Sequence, residues 1–506
     1  MKLMAMRRVR HSEPTSRSQT DRETRKFSKY RLDEVTVSLA SKPQTPTGLD
    51  SKAQGQQREA RATLGMVAKV RRTPTGFNTL LKMSCSQKLF SLQTIVIGAL
   101  LWTLPAWAQN PGKVGQELFL NQTTESYQEY PEVVLHDDDS FTAVWNDSGL
   151  EGVIVRRFDA EGQPLTGELQ ISTIEDYYGP DIATRAEGDF VVAWTASVSA
   201  QNAYDIRARR LDSSGAALGS EIAVNVATAG EQIEADVAMN ASGGFVVVWE
   251  DRNTGYLGSR MFDGDGLPLA DSLNVGGSIS GSELPRILTT AGDDFLVAWH
   301  GDGETDFDIY ARRVSSSGEL GDLYLVNEFT SGAQSKVDIA QLADGDFVAV
   351  WQDRFRDGSG FGLFGRKLDS SGMPVGSDFA VNGYLTGDQK EASVAALPDG
   401  GFMVVWQDHG QEESGADDQA PGLRARRFDA EAVPMADSFQ VNTFTQGRQE
   451  EPRIVVGDEG TMVVVWEDAG GSDGSFSAVK AQRLALPLFY DGFESGNMTA
   501  WSSTSP

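Results

Sequence analysis

Seven tryptophans divide most of the chain into units of similar length. Each closes a short apolar run, and neighbouring members lie 49 to 60 residues apart, at Trp145, Trp194, Trp249, Trp299, Trp351, Trp406 and Trp466. A period near 50 residues indicates a repeated supersecondary unit that buries its apolar face only against its neighbours. We therefore expect the tryptophans to be structural anchors between stacked units.

Each unit predicts four β-strands. In the fifth unit the candidate strands are 337–340, 347–353, 363–369 and 379–382. Asp344-Gly345, between the first two, is typical of a tight hairpin because glycine accepts the positive φ of such turns. The second segment is apolar without alternation, as expected for a strand buried on both faces. Four-stranded antiparallel sheets stacked radially satisfy that condition, so the sequence predicts an all-β, seven-bladed β-propeller.

The two ends of the repeat array predict a closed ring. A segment at about 116–121 resembles the fourth strand of the other units but has no preceding partners, whereas the last unit stops after its third strand. Pairing this N-terminal strand into the last blade would complete the blade and remove an exposed sheet edge.

Composition changes sharply near residue 109. The first 108 residues contain 19 Lys and Arg against 7 Asp and Glu, which leaves 25 basic and 65 acidic residues in the rest. Residues 1–82 are basic and poor in aromatic residues, so we expect a disordered extension. Because a complete signal sequence follows, Met83 is the expected true start; a genuine extended leader is the alternative.

Residues 83–108 have the features of a secretory signal peptide. An apolar stretch at 89–104 precedes Ala106-Trp107-Ala108, which predicts cleavage near Ala108. A membrane anchor is the alternative, although a bilayer span needs roughly 20 apolar residues. The lone cysteine, Cys85, lies within the signal, so the exported chain would have no disulfide. We expect a secreted or cell-surface monomer without a membrane span, whose acidic surface disfavours nucleic acid.

The repeat also carries a resemblance. Phe-Val-Val-Val-Trp-x-Asp, Ala-Arg-Arg-Phe-Asp-x-x-Gly-x-Pro and Val-Asn recur as a set over 116–484. This set resembles repeats of large, mostly uncharacterised secreted bacterial proteins expected to form propellers, and the resemblance implies an extracellular binding or adhesive role without catalytic residues. The propeller is thus expected at 109–485. The Asp-Gly-Phe-Glu-Ser-Gly segment at 491–496, followed by Trp501, resembles the tails of secreted proteins of Gram-negative bacteria and implies a sorting tail at 486–506.

Two recurrent polar features have structural interpretations. A basic pair recurs in the third strand, as in Arg312-Arg313, and an Asp recurs two residues after Trp, as in Asp353. Adjacent strand residues face opposite sides of a sheet, so we expect ion pairs between these groups rather than a basic surface. The recurrent Gln of the inter-blade link, as in Gln334, is expected to satisfy backbone groups where blades meet.

Loops that differ between units are the expected binding surface. The connection from the second to the third strand varies in length, and such loops on a rigid scaffold usually carry function. The candidate ligand-face residues are Asp353, Arg354, Arg356, Asp357, Asp408, His409, Asp468 and Asp473. Asp302, Glu304, Asp306 and Asp308 are candidate calcium ligands because carboxylates alternate there, as at the start of calcium loops. Phe307 and Arg313 depart from the usual pattern, so a solvated acidic loop is the favoured interpretation and calcium binding is the alternative.

The sequence favours binding over catalysis. His136, His300 and His409 lie in different units, which disfavours a zinc site, and no nucleophile-elbow, phosphate-loop or dinucleotide motif occurs. We expect a propeller that recognises a protein or glycan, with calcium as the one candidate cofactor and no identified catalytic residue. The alternative is a glycan hydrolase or lyase with carboxylates at the central channel. A third hypothesis is a spacer for surface display.

Overall fold

The computed structural model describes residues 65–68, 81–84, 110–172, 179–197, 204–383, 387–409 and 422–486. In the N-terminal extension, β1 (Gly65–Ala68) and β2 (Leu81–Ser84) form an antiparallel pair. The predicted signal peptide, apart from the two residues that end β2, lies outside the described residues, as does the tail beyond 486. The described residues contain no helix that could cross a membrane.

The other strands form seven four-stranded antiparallel sheets, or blades. Blade 1 consists of β4 (Gln128–Leu135), β5 (Phe141–Asp147), β6 (Gly152–Phe158) and β7 (Leu169–Gln170). Blade 2 consists of β8 (Asp181–Thr184), β9 (Phe190–Ser197), β10 (Tyr204–Leu211) and β11 (Ile222–Ala223). Blade 3 consists of β12 (Gln232–Met239), β13 (Phe245–Asp251), β14 (Tyr256–Phe262) and β15 (Leu273–Asn274). Blades 4 and 5 consist of β16 (Glu283–Thr289), β17 (Phe295–Asp302), β18 (Phe307–Val314) and β19 (Leu320–Leu325); and β20 (Gln334–Gln341), β21 (Phe347–Arg354), β22 (Phe361–Leu368) and β23 (Pro374–Ala380). Blades 6 and 7 consist of β24 (Gln389–Ala396), β25 (Phe402–Asp408), β26 (Gly422–Phe428) and β27 (Phe439–Gln440); and β28 (Gln449–Val456), β29 (Thr461–Asp468), β30 (Ala478–Ala485) and β3 (Gly112–Phe119).

The ring closes through the first propeller strand. β3 pairs antiparallel with β30, with Leu118 opposite Ala481, and supplies the fourth strand of blade 7. The predicted seven-bladed propeller and its closure are therefore confirmed, although the closing strand begins earlier than residue 116. We name the strands of each blade A to D, from the central channel outwards.

The tryptophans anchor the interfaces between blades, as predicted. Trp351 is fully buried in a cluster with Ile339 of its own blade and with Leu296 and Ala298 of blade 4. The B strands are buried along almost their whole length, as in Phe347–Arg354. Each blade is thus held by apolar contacts on both faces, which explains the unbroken apolar runs in the sequence.

Hydrogen bonds of recurrent side chains join consecutive blades. Asn382 accepts from the backbone N–H of Leu363 at 2.9 Å and donates to Oε1 of Gln389 at 2.9 Å. Gln389 in turn donates to Asp408 at 3.2 Å. Equivalent bonds join Asn327 to Gln334, whose Nε2 donates to the carbonyl of Ser331. The predicted structural role of the recurrent Gln is confirmed.

The recurrent Arg has a different partner from the one predicted. Nη1 of Arg366 donates to the carbonyl of Val326 in the preceding blade at 2.9 Å, and Nη1 of Arg312 donates to the carbonyl of Val275 at 3.0 Å. The second basic residue of the pair reaches an acid of the A–B hairpin, as Arg427 does with Asp399. The prediction that these pairs bind the Asp after Trp was wrong, because sequence spacing does not reveal a carbonyl contributed by another blade.

Six of the seven A strands carry a residue with positive φ near their start, and in blade 2 Gly179 (φ 76°) precedes the strand. The non-glycine examples include Tyr130 (φ 55°), Glu234 (φ 53°), Lys336 (φ 53°) and Glu451 (φ 51°). Register shifts accompany them, for example between Glu450 and Arg453 in blade 7. An extra residue of this kind is a β-bulge, which redirects side chains and is common near functional sites. The bulges here redirect side chains at the channel.

Candidate functional site

The variable loops lie on one face of the propeller, as predicted. Gln449 at the start of β28 lies opposite Asp468 at the end of β29, and Asp468 lies opposite Ala478 at the start of β30. The B–C loops and the links between blades therefore emerge together. We call this side the loop face; the A–B hairpins lie at the other end of the strands.

Three of the predicted ligand-face residues are bound into the scaffold. Asp353 is fully buried and lies 3.5 Å from Nη1 of Arg356, which also binds Asp378 at 2.8 Å. Burial raises the pKa of Asp353 to about 6. Asp468 is fully buried and lies 2.8 Å from Nζ of Lys480. These contacts hold the bases of the loops, so the three side chains support the face rather than present a ligand surface.

The other five predicted ligand-face residues are distributed over the loops of blades 5 to 7. Arg354 is exposed and lies over the Phe355 ring. Asp357 accepts a 2.9 Å hydrogen bond from the Ser359 N–H, and Asp473 accepts one of 2.9 Å from Asn121. Asp408 forms a 3.6 Å ion pair with Arg424. The backbone N–H of His409 donates to the Asp388 carbonyl at 2.8 Å. None of the five lines the cavity identified below.

The four residues of the predicted calcium loop face different partners. Asp308 is buried and accepts a 2.7 Å hydrogen bond from Asn327, while Asp302 accepts one of 2.7 Å from Ser280. Glu304 and Asp306 are exposed. Within the described ranges, no group of three or more His, Cys, Asp or Glu residues is arranged to hold a metal ion. Calcium binding remains a prediction.

The position that follows each repeated tryptophan is polar in every blade. Its seven occupants are buried at the loop-face end of the B strands: Asn146, Thr195, Glu250, His300, Gln352, Gln407 and Glu467. In the six blades other than blade 2 they lie in register opposite the A-strand residue that precedes the bulge. Most of these cross-strand pairs are compatible, such as Gln352 with Ser335, joined by a 3.1 Å hydrogen bond. Blade 7 differs, since Glu467 lies directly opposite Glu450.

Deeper in the channel, seven equivalent A-strand positions form a ring that we call the neck: Glu132, Asp181, Asp236, Arg286, Asp338, Ser393 and Arg453. Ion pairs bridge the channel here, because Glu132 of blade 1 lies 2.5 Å from Arg453 of blade 7 and 3.6 Å from Arg286 of blade 4. Carboxylates of the ring also join blades, as Asp181 accepts from the Val237 N–H at 2.7 Å. The neck thus stabilises the ring and bounds the channel below the bulges.

Above the neck, on the loop face, lies a cavity of about 410 Å³ between blades 6, 7 and 1. We call it the Glu467 pocket; its lining residues are Tyr127, Glu129, Tyr130, Glu391, Gln407, Arg448, Glu450, Glu451, Glu467, Ala469, Phe476 and Ser477. Five of them are glutamates and one is an arginine. The pocket is therefore concave, polar and strongly acidic.

Glu467 has a strongly perturbed pKa within this pocket. Glu467 is 8% exposed, and its side chain makes no hydrogen bond or ion pair with the part of the chain that the structure describes. Burial, followed by repulsion from Glu129, Glu451 and Glu450, raises the pKa of Glu467 to about 9. Glu467 is consequently neutral at pH 7 in the empty pocket.

The pKa values of three residues near Glu467 are also raised. Burial and then the Glu450 charge raise the pKa of Glu129, and burial and then Glu391 raise that of Glu451. Burial and the surrounding glutamates also raise the pKa of the Tyr130 phenol. Strongly perturbed groups gathered in one cleft are typical of functional sites.

An aromatic pair forms the rim of the pocket. Tyr127 and Phe476 stack with ring centroids 4.9 Å apart and an interplanar angle of 17°. They are nevertheless 44% and 66% exposed, so part of their ring surface is available to a ligand. The backbone N–H of Phe476 donates to the carbonyl of Ser126, which holds the blade 7 loop against blade 1.

The glutamates that define the pocket were not predicted from the sequence. A signal for Glu467 was present, because the residue after each tryptophan varies from blade to blade while the flanking Trp and Asp recur. No comparable signal marked Glu451, since its placement depends on a bulge formed by a non-glycine residue.

Comparisons with known proteins leave the function open. No family model matches the sequence, and no curated protein matches it. Similar solved structures include a protein of unknown function from Dyadobacter fermentans (10% identity, TM-score 0.48, 74% of this chain and 99% of that chain). They also include an α-L-arabinofuranosidase from Fusarium graminearum (12%, 0.46, 74% and 98%) and the NanB sialidase from Streptococcus pneumoniae (11%, 0.43, 81% and 74%). Likenesses this weak carry no argument about activity.

Proposed function

We propose that the protein is an exported binding protein that takes a glycan into the Glu467 pocket. The observation that carries the proposal is the combination of a polar cavity with an exposed aromatic rim. Its volume of about 410 Å³ falls within the range of roughly 300 to 1,000 Å³ typical of ligand sites.

The lining suits a ligand rich in hydroxyl groups. Carboxyl and amide groups, such as those of Glu129 and Gln407, can both accept and donate hydrogen bonds when the carboxyl is protonated. The Tyr127 and Phe476 rings offer a flat apolar surface for the C–H face of a sugar. A lipid or other apolar ligand would leave the buried carboxyl groups unsatisfied, which is unfavourable.

Export is proposed from the sequence alone. The apolar stretch at 89–104 and the small residues Ala106 and Ala108 favour secretion. Binding to a cell surface or to a surrounding polysaccharide follows from that location.

A glycan array probed with the full-length protein, followed by calorimetric titration of each positive oligosaccharide, tests the proposal. Phe476→Ala is expected to lower the affinity about two- to tenfold, because aromatic contacts contribute roughly 0.5–1.5 kcal/mol. Phe355→Ala is the matched control, since Phe355 is 62% exposed on a loop of blade 5 and does not line the pocket. A protein that binds no glycan, or equal losses in the two variants, would contradict the proposal.

Glycan hydrolysis is the second candidate, and the protonation of Glu467 favours it. A general acid must be neutral at the working pH, and a carboxyl with a pKa of about 9 meets that requirement. Hydrolysis predicts that the wild-type protein releases reducing ends from the bound oligosaccharide and that Glu467→Gln binds it without releasing them. Binding with no release by the wild-type protein leaves the non-catalytic function.

A further inference from the structure

The Glu467 pocket has an unbalanced charge. Nζ of Lys336 is committed to Glu391 by an ion pair, and Nε of Arg448 lies 3.4 Å from Glu450. Nε2 of Gln407 also donates to Glu450, at 3.3 Å. The remaining carboxyl groups of the pocket form no ion pair with these cations, although the positive charges of Arg453 and Lys336 partly offset the rise in the pKa of Glu451.

Three carboxyl groups are left without a strong partner. Within the described ranges, the side chains of Glu129, Glu451 and Glu467 make no hydrogen bond and no ion pair. Glu467 is also more than nine-tenths buried while it lines the cavity. A carboxyl group that lines a cavity without a protein partner is available to a ligand that supplies one.

The cross-strand geometry adds an independent argument. Glu450 and Glu467 are directly opposite each other in the β28–β29 ladder. Like charges in this arrangement destabilise a sheet. Among the blades whose corresponding pair is described, blade 7 alone places two acids there, since its counterparts include Gln352 with Ser335. In the empty pocket the repulsion is relieved by protons, and a ligand cation would relieve it with charge-assisted hydrogen bonds.

The cation that fits is organic rather than metallic. No three acidic groups among the described residues converge as a metal site requires. An ammonium group accepts a looser arrangement than a metal ion, because one carboxylate can bind one of its N–H donors at roughly 2.7–2.9 Å while water or other polar groups accept from the rest. The exposed rings of Tyr127 and Phe476 add attraction for a cation at the rim.

We propose that the Glu467 pocket selects an amino sugar, with its free ammonium group bound at Glu467, in the field of the neighbouring Glu129 and Glu451, and its ring against Tyr127 and Phe476. This inference rests on the proposed glycan-binding function and specifies the class of sugar. A neutral sugar would leave the carboxyl cluster without a cation, whereas a glucosamine-type residue supplies the cation and the hydroxyl groups together.

The test uses two oligosaccharides with one skeleton. The full-length protein is titrated calorimetrically at pH 7 with a tetramer of glucosamine, whose amines are free, and with a tetramer of N-acetylglucosamine, whose nitrogens are neutral. We expect the glucosamine tetramer to bind at least about tenfold more tightly, since a hydrogen bond to a charged group contributes roughly 1.5–3 kcal/mol.

Variants assign the effect to the pocket. Glu467→Gln and Glu451→Gln are expected to lower the affinity for the glucosamine tetramer about tenfold or more and to lower that for the acetylated tetramer by a smaller factor, because only the first ligand loses a charge-assisted hydrogen bond. Glu319→Gln, in an exposed turn between C and D strands, is expected to change neither. Intact tryptophan fluorescence and circular dichroism confirm that each variant is folded.

The possible results separate this inference from the proposed function. Equal affinity for the two tetramers, or tighter binding of the acetylated one, would overturn amino-sugar selection and leave glycan binding in place. Binding of tetralysine with no binding of either saccharide would overturn both, because the partner would then be a basic peptide. Loss of glucosamine binding in Glu319→Gln equal to that in Glu467→Gln would also overturn the assignment to the pocket.

Discussion

Replacement of Glu467 by glutamine should stabilise the protein relative to wild type, by an amount that increases as pH rises. The variant keeps the size and hydrogen-bonding capacity of the side chain and removes its ionisation. In the wild-type protein, burial and the neighbouring glutamates raise the pKa of Glu467 from 4.5 to about 9. The folded state therefore binds a proton that the unfolded chain releases, and the free energy of unfolding falls as pH rises between these two values.

The magnitude follows from the width of that interval. Each pH unit above 4.5 lowers the contribution of Glu467 to the free energy of unfolding by about 1.4 kcal/mol, until pH 9 is reached. At pH 7 the loss amounts to about 3 kcal/mol relative to pH 4.5. Glutamine is neutral throughout this range. The free energy of unfolding of the variant should therefore increase by this amount relative to that of the wild-type protein as pH rises from 4.5 to 7.

Urea unfolding monitored by tryptophan fluorescence measures the effect, because the seven repeated tryptophans are buried. Curves at pH 5, 6, 7 and 8 give the free energy of unfolding of the wild-type protein, Glu467→Gln and the exposed control Glu319→Gln. The control should follow the wild-type protein at every pH. A difference between Glu467→Gln and wild type that stays constant from pH 5 to pH 8 would refute the electrostatic account of the pocket.

Three further perturbations test other parts of the structure. Arg366→Met should destabilise the protein by about 1–3 kcal/mol in urea unfolding because it removes the bond to the Val326 carbonyl, whereas Arg354→Met, at an exposed position, should have a smaller effect. Deletion of Gly112–Phe119 should expose the edge of the last blade and cause concentration-dependent association, measured by light scattering; a stable monomer would contradict the role of closure. Calcium at 100 times its Kd would add about 2.7 kcal/mol of stability if the loop containing Asp306 binds it, and a melting temperature insensitive to calcium and chelator would exclude that hypothesis.

Repetition explains why the fold was predictable from sequence. A single apolar run such as 347–351 fits either a buried strand or part of a buried helix, but seven copies with the same flanking turns favour one interpretation. The closing strand was found in the same way, because its Asn121 matches the Asn that ends the other units. Asn121 accepts from the Val479 N–H at 3.1 Å, as its counterpart Asn382 does from Leu363.

The site was less predictable because it depends on departures from the repeat and on contacts between blades. Loop length was the signal used, and it identified acids such as Asp353 and Asp468, which are committed to Arg356 and Lys480. The bulge that precedes the neck has no composition signal, since Glu451 occupies the positive-φ position where glycine would be the expected residue.

The repeat itself gives the physical reason to look at the position after tryptophan. That position is buried in all seven blades, yet its occupants are all polar and most differ from their neighbours. A purely structural role would favour one residue type that pairs well in every blade, as Asn382 and Gln389 do at the blade joints. Blade 7 instead places Glu467 opposite Glu450, the least favourable pairing for stability. Of this pair, Glu467 is buried, lines the cavity and makes no contact with a partner side chain, so under the proposed function a ligand that supplies the missing charge should bind this blade in preference to the other six.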